Sequence, residues 1–142
     1  SRLAGRRRGK PAAVSVQQDN SDLQRTAIST SRADQRPGVL IVGSGFLTHG
    51  LPFLKEWRID AAVPGWSADF DAWAAEAMAR GDVDALADYH HRAPGLPFAH
   101  PTVEHYTPLF VTLGAAATPD DAPRTAIDGW FLGLSKRSFE AR

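Results

Sequence analysis

The chain has 142 residues, one domain's worth, and a chain of this length buries roughly two thirds of its surface on folding. Sixteen basic and sixteen acidic side chains cancel, which argues against a dedicated nucleic-acid or membrane-surface binder. There is no cysteine, which excludes disulfides, thiolate metal sites, iron–sulfur clusters and cysteine nucleophiles. No apolar run approaches the ~20 residues of a membrane helix. No secretory stretch follows the arginines of the first ten residues, so a soluble cytoplasmic protein is expected.

The charge is unevenly spread. Residues 1–36 carry eight Lys/Arg against three Asp/Glu and no aromatic, with Leu3, Val14, Val16, Leu23 and Ile28 scattered without period. Such a stretch buries too little apolar area to offset its ordering entropy, so residues 1–36 are expected to be a divergent, disordered segment. Arg6-Arg7-Arg8 invites a nucleic-acid or targeting reading; composition favours a solvated basic tail. Residues 37–142 reverse the balance, eight against thirteen, and form the expected ordered part.

Gly38-Val39-Leu40-Ile41-Val42-Gly43 is a β-branched run between glycines and reads as a buried, parallel, central strand. Gly43-Ser44-Gly45 then turns the chain at its carboxyl end. It is not a dinucleotide fingerprint, because Thr48 stands where the third glycine belongs. It is not a nucleophile elbow either, because Val42 stands two before Ser44. A tight turn after a buried strand is nevertheless where open α/β sheets place their sites.

Ser67 to Gly81 reads as a helix. Phe70, Trp73, Ala74, Ala77 and Met78 make one apolar stripe, Ser67 is the expected cap, Asp69 and Asp71 favour the positive dipole end, and Gly81 is the left-handed stop. A second helix is expected from Asp82 to His91, with His90 and His91 at its end as structural cations. Prolines 94, 97 and 101 make the following stretch irregular. A third helix is expected to carry Leu109, Phe110 and Leu113, with Pro108 in its first turn. Ile127 to Leu134 reads as a last strand broken by glycines. Alternating strand and helix patterns predict an α/β layered core with a largely parallel sheet.

His49 lies just past the glycine turn, and His105 lies at a loop-to-helix junction. Histidine is the side chain whose ordinary pKa permits both acid and base roles near neutrality, and it is a common metal ligand. His100, before Pro101, is a further candidate whose loop gives it no fixed orientation.

Residues Gly38 to Leu51, ending in Thr48-His49-Gly50-Leu51, resemble the G-V-L-I-x-G-S-G-x-x-x-H-N-L segment of class III extradiol ring-cleavage dioxygenases. Residues 100–109 resemble their H/N-P-T-x-E-H-x-x-P-L segment. Phe70-Asp71-Ala72-Trp73 resembles the family's F-D-x-W helix, and residues 132–139 its closing L-S-M-x-S-F/Y strand. The match is nearest to the 4,5-DOPA type. It covers residues 37–142 in the family's order and implies an incomplete α/β core, the C-terminal portion of the family domain.

The resemblance implies a non-haem metal enzyme that cleaves a catechol ring, DOPA-like or protocatechuate-like, with dioxygen. One ion per site, Fe(II) or Zn(II), keeps open positions for the substrate. By this resemblance His105 is a metal ligand. His49 is the histidine on or beside the metal that serves as acid and base. Glu104 is a group that orients His105, or simply an acid at a helix start. Members supply two further metal-binding histidines from an upstream half, whereas this chain has none before His49, and Gly50 replaces the family's Asn. The expectation is therefore a truncated dioxygenase chain with exposed apolar surface and a tendency to self-associate. Its alternative is a non-catalytic remnant or partner-dependent module.

Overall fold

The structure, a computed structural model, describes residues 20–33, 38–116 and 120–142, with the side chains of 22–29 in the first stretch. The helices are α1 (Asn20–Ala33), α2 (Gly65–Ala79), α3 (Val83–Ala87), α4 (Tyr89–Arg92) and α5 (Thr107–Gly114). A single 3-10 turn spans Leu51–Phe53. The strands are β1 (Arg124–Ile127), β2 (Trp130–Phe131), β3 (Leu134–Ser135) and β4 (Ser138–Glu140).

Helix α2 organises the core. Its stripe is buried as its period requires: Phe70, Ala74, Ala77 and Met78 face inward. Tyr89 from α4 meets them, with Leu86 from α3 and Tyr106, Leu109, Phe110 and Leu113 from and beside α5. Burying a ring such as Phe70, which has no exposed surface, is worth about 2–3 kcal/mol. Gly81 stops α2 at φ +65, the left-handed conformation expected of it. Ser67 is not the cap: Pro64 is, without a side-chain bond, and the Ser67 hydroxyl is turned inward instead. The expected helix from Asp82 to His91 is two short ones. Asp82 caps the first, accepting from the Ala85 N–H at 2.9 Å, and the path breaks at Asp88.

The sheets differ from expectation. Strand β1 pairs antiparallel with β4, and β2 antiparallel with β3, so the molecule joins helices to two small antiparallel ribbons. The expected single strand from Ile127 to Leu134 is replaced by hairpin pieces, turned at Leu132 and Gly133, both with positive φ. A largely parallel layered sheet is not what the described residues form. Residues 39–42 are not a strand. A central strand needs hydrogen-bonded neighbours on both edges, and none of the described strands lies beside this one. Its side chains are left outside, Val39 62%, Leu40 87% and Val42 77% exposed.

The expectation for residues 1–36 is also corrected in part. Residues 20–33 form a helix, while 1–19 and 34–36 lie outside the described residues. Gln24, Ala27 and Ile28 occupy one face of α1, and Ala27 and Ile28 pack against the core. Most helix stability in proteins comes from such docking rather than composition, which is why a polar, aromatic-free segment still folds here.

Candidate functional site

His49 and His105 meet face to face, with ring centroids 3.4 Å apart and planes 12° from parallel. His105 stands in the turn that enters α5, and His49 in the irregular stretch before the 3-10 turn. Gly45 makes the meeting possible: a Cβ there would run into the His105 carbonyl. The glycine turn is thus a close-packing device rather than a ligand loop. Gly50, where the family-like segment has Asn, is buried, and a Cβ would strike the Phe98 carbonyl and the Trp66 ring.

Four bonds tie down residues 47–49. The Leu47 N–H donates to the Ser135 carbonyl at 3.1 Å, and the Ser135 N–H donates to Thr48 Oγ1 at 2.8 Å. The His49 N–H donates to the Ala99 carbonyl at 2.7 Å. His100 Nε2 lies 2.7 Å from the Leu47 carbonyl, and a carbonyl only accepts, so Nε2 carries the proton.

Behind Thr48 runs a buried polar chain. Thr48 Oγ1 shares a 2.8 Å hydrogen bond with Ser67 Oγ. Ser135 Oγ donates to Asp71 Oδ1, and Arg137 grips both Asp71 oxygens at 2.9 and 2.8 Å. Asp71 was expected to serve the helix dipole; it is buried and serves this pair instead. The family-like segments at Asp71 and Ser135 marked these residues in the sequence. Their partnership with Thr48 and Arg137 carried no sequence signal, because it joins positions far apart in the chain.

The electrostatics disfavour the charged forms of His49 and His100. Burial, then the neighbouring His105, hold His49 below the ordinary histidine value, opposed by Glu104. Burial pushes His100 down to about 4 against the Leu47 hydrogen bond. The Glu104 carboxyl is held low by hydrogen bonds from Thr102 and its own backbone, then by the two histidines. Its side chain is tied to its own turn rather than to His105. His90 and His91 are exposed in the last turn of α4, as expected, with His91 Nδ1 2.6 Å from Asp88 Oδ1.

A cavity of about 280 Å³ opens beside His105, lined also by Leu40, Val42, Phe46, Arg137 and Phe139. His49 is not among the residues that line it.

Do these residues fit a metal ion? Among the described residues no group of three His, Cys, Asp or Glu could hold one. Two parallel rings also keep their in-plane lone pairs in separate planes. They do not converge on one ion at the about 2.0–2.1 Å that an imidazole–zinc bond requires. His105 Nδ1 is buried with no hydrogen-bond partner among the described residues, one donor left open. The described residues therefore do not make a complete metal site.

No family model matches the chain. A protein of Beta vulgaris named 4,5-DOPA dioxygenase extradiol is 40% identical over 107 residues, 72% of this chain and 38% of the relative. Proteins of the same name from Portulaca grandiflora and Mirabilis jalapa are each 37% identical, over 60% and 56% of this chain and 31% and 29% of theirs. Over these residues the chain is similar to the 4,5-DOPA extradiol dioxygenases. The resemblance to extradiol dioxygenases is thereby borne out at the level of kinship. The chain spans less than two fifths of the length of these relatives. An uncharacterized protein, JW3007, from Escherichia coli K12 shares the fold, with a TM-score of 0.71 at 25% identity over 86% of this chain and 50% of that one.

Proposed function

We propose that this chain carries the C-terminal part of an extradiol dioxygenase site, acting on a catechol such as DOPA or protocatechuate with dioxygen. The observation that carries this reading is the 3.4 Å approach of His49 and His105, 56 positions apart, each within a family-like segment. In this reading His105 is one ligand of an Fe(II) or Zn(II) ion, and the other ligands come from outside the described residues. The ion supplies the site's affinity for a catechol's paired oxygens. His49, whose charged form burial disfavours, takes a proton from a catechol hydroxyl on an imidazole nitrogen and later returns it. Stacked on His105 rather than sharing an ion with it, His49 suits proton transfer better than co-ligation. Residues 39–42 become a strand of a larger parallel sheet when an extended neighbour is supplied.

A second reading, a non-catalytic or partner-dependent module, is favoured by the missing third donor among the described residues. One pair of experiments separates them. The 142-residue chain, purified with Fe(II), is assayed for metal content and for the yellow semialdehyde from L-DOPA. A chimera carrying residues 38–142 behind the upstream part of the Beta vulgaris relative is assayed beside it. The dioxygenase reading expects no turnover from the chain alone, and turnover from the chimera that His49→Ala removes. A folded, metal-loaded chimera without turnover would overturn it. Robust turnover by the chain alone would overturn the incomplete site.

A further inference from the structure

His100 is the most deeply buried histidine of the protein, 2% exposed. Its ring is wedged between Phe70 at 5.0 Å, Tyr106 at 4.9 Å and Tyr89 at 6.2 Å, so it does not turn freely. Only one of its nitrogens is used. Nε2–H reaches the Leu47 carbonyl at 2.7 Å, while Nδ1 is buried with no partner among the described residues. An unpartnered buried acceptor opposes folding, and a phenylalanine would pack among these rings without that cost. The single Nε2 bond is therefore what distinguishes histidine here.

That bond falls at a telling place. The residue before His100, Ala99, accepts the His49 N–H at 2.7 Å. Residues 99 and 100 thus hold the chain on both sides of Thr48, one bond on the Leu47 carbonyl and one on the His49 amide. Strand β3 holds Leu47 and Thr48 from elsewhere, through Ser135. Between these grips the His49 backbone is held, and its ring lies flat on His105.

We infer that His100 is a positioning residue: its Nε2–H, donated to the Leu47 carbonyl, sets the backbone from which His49 stacks on His105. The functional weight of this rests on the reading of His49 as the proton-handling group; the geometry does not. Without the donor the Leu47 carbonyl is left buried and unbonded, and residues 47–49 shift to find another partner. The His49 ring then slides off His105.

The test is nuclear magnetic resonance on the full 142-residue chain. Wild type is compared with His100→Phe, which keeps an aromatic ring, and His100→Gln, whose terminal amide supplies a donor near the place of Nε2. In wild type, imidazole nitrogen shifts show His100 protonated at Nε2, and ring-proton cross-relaxation joins His49 to His105. In His100→Phe that cross-relaxation and the stacking-induced ring-proton shifts are lost while the dispersed spectrum of the core persists. In His100→Gln they return. Unchanged His49–His105 contacts in a folded His100→Phe would overturn the proposal. If that variant does not fold, the wild-type tautomer and His100→Gln decide: an Nδ1-protonated His100, or a folded Gln variant without the contacts, overturns it. None of these readouts uses turnover. An inactive chimera with intact contacts would therefore refute the dioxygenase reading and leave the positioning role standing.

Discussion

The Arg137 guanidinium grips the Asp71 carboxylate side-on, Nε to Oδ1 at 2.9 Å and Nη2 to Oδ2 at 2.8 Å, with both side chains largely out of solvent. Ser135 adds a third bond to the same carboxylate. Removing one member of such a pair leaves a buried charge without compensation, at a cost of about 3–5 kcal/mol. Asp71→Ala is expected to lower the unfolding free energy by an amount in that range, read by urea denaturation. Arg137→Lys is expected to cost less than Asp71→Ala, because it keeps the charge, but not nothing, because an ammonium does not bridge two oxygens in parallel. A loss below about 1 kcal/mol for Asp71→Ala, the scale of an exposed pair, would contradict the buried role.

Stability should depend on pH through His100. An unfolded chain binds a proton on this histidine near 6.5, and the folded chain only near 4. Between these values the unfolded state holds more protons, so stability rises with pH. The contribution is complete above pH 6.5 and is lost as pH falls to about 4. Its full size is about 3 kcal/mol by linkage. Denaturation at pH 7 and pH 4.5 should show this slope in wild type and a shallower one in His100→Gln. Equal slopes would place the titration elsewhere.

Gly45 allows the backbone at 44–46 to lie against His105. Gly45→Ala pushes a methyl group into the His105 carbonyl, and overpacking of this kind costs about 1–3 kcal/mol. Melting should fall accordingly, and the His49–His105 cross-relaxation should weaken. Gly65→Ala, where a Cβ meets nothing within 4 Å, is the control expected to leave both unchanged.

Val39, Leu40 and Val42 present an exposed apolar strip. An extended apolar edge of this kind pairs with other chains. Sedimentation of the isolated chain is expected to show concentration-dependent self-association, and Leu40→Asp is expected to reduce it. A monomeric wild type at high concentration would refute this.

The α2 helix was legible because its stripe of Phe70, Ala74, Ala77 and Met78 is local: the period alone says which face is buried. Helix α5 was legible from Pro108 and its apolar run. Residues 39–42 misled for the opposite reason. A run of β-branched residues states a preference for a buried strand, but a strand exists only when neighbours take its hydrogen bonds. Helix α1 misled in the other sense, since its composition argued for disorder until a partner face received Ala27 and Ile28.

At the site, the sequence by itself showed that His49 and His105 stand in two segments that resemble those of extradiol enzymes. It also determined that a glycine turn precedes His49. Only the tertiary structure decided that Gly45 serves close packing, that Asp71 pairs with Arg137, and that His100 reaches the Leu47 carbonyl. The reason is one of range. Period, caps and motifs report interactions within a few residues. The bond from His100 to Leu47 spans 53 positions, and the Asp71–Arg137 pair spans 66. Such contacts come together only when α2, the 99–105 turn and the β3–β4 segment pack on one core.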